Sequence, residues 1–200
     1  MPKSPNQQVL DLVREQGIVR PRDLRDRRIS RQHLKTLLDK GLLQRPARGL
    51  YISADADLTE EHSVAEACKR VPGGVICLLS ALRLHGLTTQ IPHEVWMAIE
   101  GRSWHSKVDY PPLRIVRFTG KAFQEGIQRR KIEGVEVRAY DPAKTVADCF
   151  KYRNKIGIDV AMEALRDCWK KRLATMDELW AAAGICRVAK IMRPYLESLT

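Results

Sequence analysis

Basic side chains are concentrated in one short stretch of this sequence. Between Arg20 and Arg48 there are 10 basic residues and 3 acidic ones. Residues 1–55 hold 12 basic and 6 acidic groups, and the whole chain carries a formal net charge of +11. Such a patch can bind a polyanion by neutralising phosphates and releasing their counterions. Nucleic acid is therefore the first partner to consider, and a basic surface that only confers solubility is the alternative.

The spacing of the possible catalytic residues argues against an enzyme. Ser80 and His85 lie five residues apart on one predicted helix, so their side chains point about 140° apart and cannot act as nucleophile and base. In Glu136-Val137-Arg138, an arginine stands where a metal-dependent nuclease needs lysine. The chain has no Gly-x-x-x-x-Gly-Lys phosphate loop. A nucleic-acid-processing enzyme that uses the C-terminal part remains the alternative function.

Metal and redox chemistry are not expected either. No two cysteines form a Cys-x-x-Cys pattern, and the cysteines and histidines do not have the spacing of metal ligands. The residues concerned are Cys68, Cys77, Cys149, Cys168 and Cys186, with His33, His62, His85, His93 and His105. We therefore predict buried free thiols, no metal and no cofactor.

Two polar clusters in the C-terminal half remain as candidate sites. In the first, Asp141 is predicted to cap a helix, Lys144 to face solvent, and Thr145 to lie beside them. The second follows that helix and is either a solvated loop or a functional surface for RNA, DNA or another substrate. It comprises Lys151, Arg153, Asn154 and Lys155. Trp104, in a polar loop, would mark a contact site if exposed.

The N-terminal elements that carry the basic residues are predicted to form a winged helix-turn-helix. Ser4 caps a first helix that ends at Gly17, and a short second helix runs from Pro21 to about Arg27. A third helix, capped by Ser30, runs to Lys40. Two short β-prone segments around Pro46–Gly49 then predict a hairpin, the wing.

The third helix and the hairpin supply the predicted DNA contacts. Leu34, Leu37 and Leu38 form the inner face of the helix, so the opposite face is free to read bases. Arginines on the hairpin would contact phosphates or the minor groove. The full predicted set is Arg20, Arg22, Ser30, Arg31, Gln32, Lys35, Thr36, Arg45 and Arg48.

Residues 54–58 have no periodicity and mark a domain boundary. We predict a DNA-binding domain at 1–55 and a second domain at 56–200. The second domain is predicted to contain strands at 94–100, 113–118 and 135–140. Its predicted helices are one capped by Thr59, one at 75–85, one capped by Asp141, one at 159–172, one capped by Thr175 and a last one that carries residues 188–199. The fold class is α+β, with a small sheet and several helices in a mixed C-terminal domain. The chain has no apolar segment long enough for a membrane span and no signal-peptide core, so a cytoplasmic location without membrane contact is expected.

Three motifs together resemble a known family. They are Ser80–Trp96 (SALRLHGLTTQIPHEVW), Tyr140–Gly157 (YDPAKTVADCFKYRNKIG) and Ile191–Glu197 (IMRPYLE), and they follow a winged helix that ends in Arg48-Gly49-Leu50-Tyr51. This combination resembles the AbiEi antitoxins of abortive-infection (type IV) toxin–antitoxin operons, which serve in phage defence. The resemblance extends over roughly residues 5–199.

The resemblance implies a function for each domain. The N-terminal domain would bind repeats in the promoter of its own operon and repress transcription. The C-terminal domain would counteract a nucleotidyltransferase toxin, without forming a stable complex with it. Either a monomer or a dimer, cooperative on DNA repeats, fits these expectations. A plain winged-helix regulator with a small-molecule sensor domain is the remaining alternative.

Overall fold

The computed structural model describes residues 3–103, 108 and 110–199. The helices are α1 (Pro5–Gln16), α2 (Pro21–Arg25), α3 (Gln32–Asp39), α4 (His62–Arg70), α5 (Leu78–Leu84), α6 (Lys121–Gln124), α7 (Pro142–Lys151), α8 (Arg153–Ile156), α9 (Ile158–Lys170), α10 (Met176–Ile185) and α11 (Ala189–Glu197). The strands are β1 (Leu43–Ala47), β2 (Leu50–Ser53), β3 (Val75–Ile76), β4 (Val95–Glu100), β5 (Leu113–Phe118), β6 (Ile127–Ile132) and β7 (Val135–Tyr140).

The chain divides into two compact units. The first comprises Met1–Lys69 with Lys131–Glu136, and the second comprises Arg70–Arg130 with Val137–Thr200. The predicted α+β class, with an N-terminal winged helix-turn-helix and a mixed C-terminal domain, is confirmed. The predicted functional boundary after residue 55 stays a prediction, since the first compact unit also contains residues 56–69 and 131–136.

The three N-terminal helices pack around one small apolar core. Ser4 Oγ accepts a hydrogen bond from the Gln7 amide at 3.2 Å, and Gly17 ends α1 with φ of 66°. These are the cap and the left-handed stop that the sequence predicts. The buried side chains of this core are Val9, Leu12, Val13, Val19, Leu24, Leu34, Leu37 and Leu43.

The wing is a two-stranded hairpin, and the extended residue Val19 pairs with its second strand. β1 and β2 are antiparallel, and Ala47 pairs with Leu50 across a two-residue turn, Arg48-Gly49. Pro46 therefore lies within β1 and not in the turn, where the sequence prediction had placed it. Val19 exchanges two backbone hydrogen bonds of 2.9 Å with Tyr51, which ties the segment before α2 to the hairpin.

The sheet of the second half has the order β5-β4-β3-β7-β6. β4 pairs in parallel with β5, from Val95 opposite Leu113 to Glu100 opposite Phe118. The short strand β3 pairs antiparallel with β4 and parallel with β7, so the sheet is mixed. α7 packs against α5, α9, α10 and α11, and these helices bury the apolar core of the second unit.

Four elements differ from the sequence predictions, and one of them, the short helix α6, was not predicted. The predicted helix 75–85 is wrong at its start, because Val75 and Ile76 pair with Ala98 and Met97 as strand β3 before α5 begins. β6 was not predicted, since its sequence Ile-Gln-Arg-Arg-Lys-Ile has little apolar alternation; it lies at the sheet edge, where charged side chains reach solvent. The segment after α7 forms a short helix, α8, in place of the predicted loop.

Candidate nucleic-acid interface

Helix α3 presents a polar face opposite its buried leucines. Leu34 and Leu37 are buried, whereas Gln32 and Lys35 are exposed on the other side. Thr36 is half-buried, and its Oγ1 donates to the Gln32 carbonyl at 3.3 Å. The arrangement has the geometry of a recognition helix, whose outer side chains can reach base edges in a major groove.

The start of α3 lies slightly later than predicted. The helix begins at Gln32, and Arg31 occupies the residue before it. Ser30 Oγ still accepts a hydrogen bond from the Gln32 amide at 3.3 Å, so Ser30 organises the turn that leads into the helix. Both Ser30 and Arg31 are exposed at the amino end of the predicted reading face.

Contacts with α1 hold α3 in place. His33 Nδ1 lies 2.7 Å from Asn6 Oδ1 on α1, and the imidazole donates because an amide oxygen can only accept. Together with Leu34 and Leu37 in the core, this bond fixes the orientation of the helix about its own axis.

Two of the predicted arginines, Arg45 and Arg48, lie on the hairpin that follows α3 in the sequence. Both are exposed. Arg45 lies on β1 with its guanidinium carbon 6.0 Å from the centroid of the Tyr51 ring. Arg48 is at the tip, next to Gly49, whose φ of 76° allows the tight turn. A basic tip of this shape can approach phosphates or enter a minor groove.

Arg20 has a structural position that differs from those of the other predicted contacts. Its side chain is only 17% exposed, with Nη2 3.3 Å from Asp23 Oδ1 and Nη1 donating to the Lys69 carbonyl. Lys69 Nζ lies 2.9 Å from Asp23 Oδ2. Burial alone would raise the pKa of Asp23, but the Arg20 amide and the Lys69 ammonium outweigh it and lower that pKa. Arg20 is thus engaged inside the first unit by Asp23 and the Lys69 carbonyl, whereas Arg22 is exposed.

An acidic residue that the sequence analysis did not single out lies on the reading face. Asp39 is exposed, and its i+7 spacing from Gln32 and i+4 spacing from Lys35 places it on the same side of α3, at the carboxyl end. Its carboxylate would repel a phosphate backbone at that end. Helical spacing applied to the whole of α3 would have found this residue.

The first unit also contains a turn that comes from far along the chain. Glu133 and Gly134 join β6 to β7 with φ of 48° and 78°. A Cβ on Gly17 would lie within 1.4 Å of the Glu133 carbonyl oxygen, and one on Gly134 would lie 2.7 Å from the Gly17 nitrogen. The two glycines therefore allow the end of α1 and this turn to meet backbone to backbone.

Glu133 holds the segment before α4 by its side chain. Its Oε1 accepts from the Thr59 amide at 2.6 Å and from the Thr59 hydroxyl at 2.9 Å, and His62 Nδ1 donates to Oε2 at 2.7 Å. Burial would raise the pKa of Glu133, but these donors outweigh it and lower that pKa. No local sequence pattern joins residues more than 70 positions apart, so this contact was not predictable.

The predicted polar corner of the C-terminal half lies on α7 and α8. Lys151, Asn154 and Lys155 are exposed, and Arg153 is half-buried with Nη1 donating to the Phe150 carbonyl at 3.0 Å. Lys155 Nζ lies 5.6 Å from the centroid of the Tyr152 ring. Three of the four side chains are thus available to a partner, and Arg153 stabilises the end of α7.

The other polar cluster is internal, which corrects the prediction for Lys144. Asp141 caps α7 as expected, since its Oδ1 accepts from the Lys144 amide at 2.7 Å. Lys144 was predicted to face solvent, and this is wrong: the residue is 1% exposed. Its ammonium lies 2.6 Å from Asp148 Oδ2, and the Cys186 thiol donates to Asp148 Oδ1 at 3.1 Å. Burial raises the pKa of Asp148, although Lys144 and the thiol oppose that effect.

The candidate catalytic residues have structural partners. The Trp96 amide donates to Ser80 Oγ at 2.9 Å, and His85 Nε2 donates to the Tyr140 carbonyl at 2.7 Å. Burial lowers the pKa of His85. Arg138 Nη1 donates to the Gly73 carbonyl at 3.4 Å. No nucleophile–base pair forms between Ser80 and His85.

The described residues also bear on the predictions for metal ligands, cysteines and membrane helices. Among residues 3–103, 108 and 110–199, no three His, Cys, Asp or Glu side chains come close enough to share a metal ion. All five cysteines are free and buried, as predicted. Within the described part of the chain, no helix has the length and apolar character needed to cross a membrane. Trp104 lies outside the described residues.

Comparison with known proteins bears on the N-terminal segment. No curated protein matches the chain. A family model described as "Transcriptional regulator, AbiEi antitoxin" matches residues 7–54, which include most of α1, all of α2 and α3, and both strands of the wing. The resemblance to the AbiEi antitoxins is therefore confirmed for the winged helix-turn-helix, which this match describes as a transcriptional regulator.

Proposed function

We propose that this protein is a DNA-binding antitoxin that represses its own operon and counteracts a nucleotidyltransferase toxin. The observation that carries the DNA-binding part is the exposed polar face of α3, followed directly by a basic hairpin. The family match over residues 7–54 supports the same conclusion. In this proposal residues 1–55 bind promoter DNA, residues 56–200 provide the antitoxin activity, and the protein is cytoplasmic and not an enzyme.

The proposed DNA contacts follow from exposure. Gln32, Lys35 and Thr36 on α3 face the bases, because they lie opposite Leu34 and Leu37. The remaining residues bind the phosphate backbone of the DNA and fix the register of the protein on the duplex. They are Arg22, Ser30 and Arg31 before or at the start of α3, and Arg45 and Arg48 on the wing.

We propose the exposed part of the polar corner, Lys151, Asn154 and Lys155, as the antitoxin surface. These side chains are exposed at one end of α7 and on α8, and the Lys151 ammonium lies 5.7 Å from the centroid of the Phe118 ring at the edge of the core. Two lysines and an amide can contact an anionic partner, whether it is the toxin's nucleotide substrate, its nucleic-acid target or an acidic toxin surface.

The experiment separates the two activities in the full-length chain. Binding to the promoter region of the protein's own gene is titrated against scrambled DNA, and rescue of growth is measured with the adjacent toxin gene expressed. Gln32→Ala should lose promoter binding and repression but keep growth rescue. Lys151→Glu combined with Lys155→Glu should keep promoter binding and lose rescue, with Lys121→Glu as an exposed charge-reversal control.

Other outcomes would contradict the proposal. Promoter binding no tighter than binding to scrambled DNA would refute the repressor function. Promoter binding without any rescue of a toxic neighbouring gene would favour a plain winged-helix regulator. Metal-dependent cleavage of nucleic acid by the purified chain would favour the enzyme.

A further inference from the structure

The apolar face of helix α9 extends beyond the side chains that the core buries completely. It buries five small or apolar side chains, Val160, Ala161, Ala164, Leu165 and Cys168. Beside them Met162 and Trp169 are half-buried and pack against the edge of the same core, and Ile158 is 37% exposed. Just past the end of the helix, Leu173 is 41% exposed. Large apolar side chains left at the surface along one line of a helix are typical of a contact face.

The apolar line forms a narrow stripe. At 100° per residue, Ile158, Met162 and Trp169 fall within an arc of about 40°. Leu173 extends the stripe beyond the last turn, because it lines one shallow depression together with Trp169 and Met176. Ile158 and Met162 line a second depression at the other end of the helix.

Charges of opposite sign border the two ends of this stripe. Asp159 and Glu163 border the depression at the amino end, together with Arg166 and Asp167. Lys170 and Arg172 border the depression at the carboxyl end, together with Glu178. Asp167 is paired with Lys171 at 3.0 Å, and Glu178 caps α10 through Thr175, so both carboxylates are already engaged.

The charges follow one flank of the stripe in a set order. Asp159, Glu163 and Lys170 lie about 100–140° round the helix from Ile158, with Arg166 slightly nearer the stripe. The flank is thus acidic in the first half of α9 and basic in the second half. All four side chains are exposed.

We propose that this stripe binds the same stripe of a second copy of this chain, with the two α9 helices antiparallel. Ile158 and Leu173 are equally far from the midpoint between Leu165 and Arg166, and so are Met162 and Trp169. A two-fold axis at that midpoint brings Ile158 of one copy into the depression beside Trp169 and Leu173 of the other.

The charge order selects this orientation. In an antiparallel pair the charged flank of one helix lies beside the same flank of the other helix. The acidic half of each flank then adjoins the basic half of the other. Glu163 then lies beside Lys170 and Arg166 of the second copy, and Asp159 lies beside its Arg172. In a parallel pair the same flanks of the two copies would lie on opposite sides of the interface, so Glu163 and Lys170 would not meet each other. A self-complementary pattern of this kind favours a second copy over an unrelated partner.

The association should be weak and reversible. α9 has 13 residues and is therefore about 20 Å long. One helix pair of that length buries less than the ~1,000 Å² that a stable interface needs, so a transient dimer is expected.

Charge reversal in the full-length chain tests the pairing. Sedimentation equilibrium over a concentration series should show a monomer–dimer equilibrium for the wild type at low salt. Glu163→Lys and Lys170→Glu should each weaken dimerisation about tenfold or more. The double variant should recover to within about threefold of the wild type, because each copy then again carries complementary charges on the flank. Lys190→Glu on α11, an exposed lysine, serves as the matched control and should behave as the wild type does.

Crosslinking tests the orientation. Arg166→Cys lies next to the two-fold axis, and a short thiol-specific crosslinker should join two copies through it. Asp159→Cys should not crosslink, because an antiparallel pair separates the two positions by about 20 Å along the helices. The five native cysteines are buried and should leave the background low.

Four results would overturn the proposal. They are a wild type that is monomeric at every concentration, single reversals that leave dimerisation unchanged, a double variant as weak as the singles, and crosslinking through Asp159→Cys. A monomeric wild type whose α9 variants fail to rescue growth from the toxin would assign the stripe to the toxin instead.

Discussion

Lys35 and Lys144 are both helical lysines in polar stretches of sequence, but the protein places them in opposite environments. Lys35 is exposed on α3, beside Gln32 and Thr36. Lys144 is buried on α7, with its ammonium 2.6 Å from Asp148 and 4.1 Å from the centroid of the Tyr140 ring. An exposed charge is solvated until a ligand arrives, whereas a buried charge has to be paired within the chain. The difference separates a surface suited to recognition from a cluster that holds the core together.

Removing the partner of the buried lysine should have the largest effect. Asp148→Ala leaves the Lys144 ammonium buried without its carboxylate, and we expect the free energy of unfolding to fall by about 3–5 kcal/mol. Urea denaturation followed by circular dichroism measures this change. Lys35→Ala is the exposed counterpart and should stay within about 0.5 kcal/mol of the wild type.

A double replacement sharpens that test. Lys144→Met with Asp148→Leu removes both charges and should recover most of the stability lost in Asp148→Ala, since apolar pairs of similar volume often replace a buried ion pair without loss. A loss below about 1 kcal/mol for Asp148→Ala would contradict the view that the Lys144 ammonium depends on this carboxylate.

The exposed surface should divide into reading and anchoring residues. Gln32→Ala should cost about 1–3 kcal/mol on the promoter site and little on scrambled DNA, because base contacts carry the sequence information. Arg48→Ala at the hairpin tip should weaken both by similar factors. Paired titrations of the two duplexes at one salt concentration measure the difference. Selective loss of promoter binding in Arg48→Ala alone would reverse the assigned roles.

The salt dependence of promoter affinity should measure the number of contacts with DNA phosphates. Promoter affinity should fall steeply with salt, with a log–log slope of about −0.9 for each phosphate contacted. Arg45→Ala should make the slope shallower by about one such contact, while Gln32→Ala should leave it unchanged. A flat response of the wild type to salt would contradict a phosphate-binding surface.

The smallest effect is expected at Asp39. Asp39→Asn removes an exposed negative charge from the reading face and should tighten binding to both promoter and scrambled DNA, by roughly 0.3–1 kcal/mol at low salt. The same titrations measure it, with Asp26→Asn outside α3 as the control. If Asp39→Asn instead weakens only promoter binding, its carboxylate accepts a hydrogen bond from a cytosine and belongs among the reading residues.

Local sequence signals predicted the winged helix-turn-helix well. Ser4, Gly17 and Pro21 mark helix boundaries by backbone chemistry that acts over a few residues, and the spacing of Leu34 and Leu37 identifies the buried side of α3. The positions that the prediction missed depend on partners far along the chain. Val75 and Ile76 become a strand because β4 and β7 lie on either side of them.

The candidate sites follow the same division. Exposure of Gln32 and Lys35 could be inferred from helical periodicity alone. Burial of Lys144 could not, because α7 is covered on several sides by α5, α9, α10 and α11, and a lysine on a fully covered helix shows no periodic signal. Arg20 is the type of residue that often contacts DNA. Only the positions of Asp23 and the Lys69 carbonyl show where its guanidinium points.

The turn at Glu133 and Gly134 bears on the order of synthesis. The unit that contains the recognition helix and the wing also includes residues 131–136, so its last segment is translated after some 60 residues that belong to the other unit. A nascent chain can form α1 to α3 early, but Gly17 has no Glu133 carbonyl to pack against, and Thr59 and His62 have no carboxylate, until two thirds of the protein exists. Local helices form fast and distant contacts close last. The first compact unit should therefore be complete only late in translation, and a product truncated before Glu133 should lack these contacts even though residues 1–55 are already made.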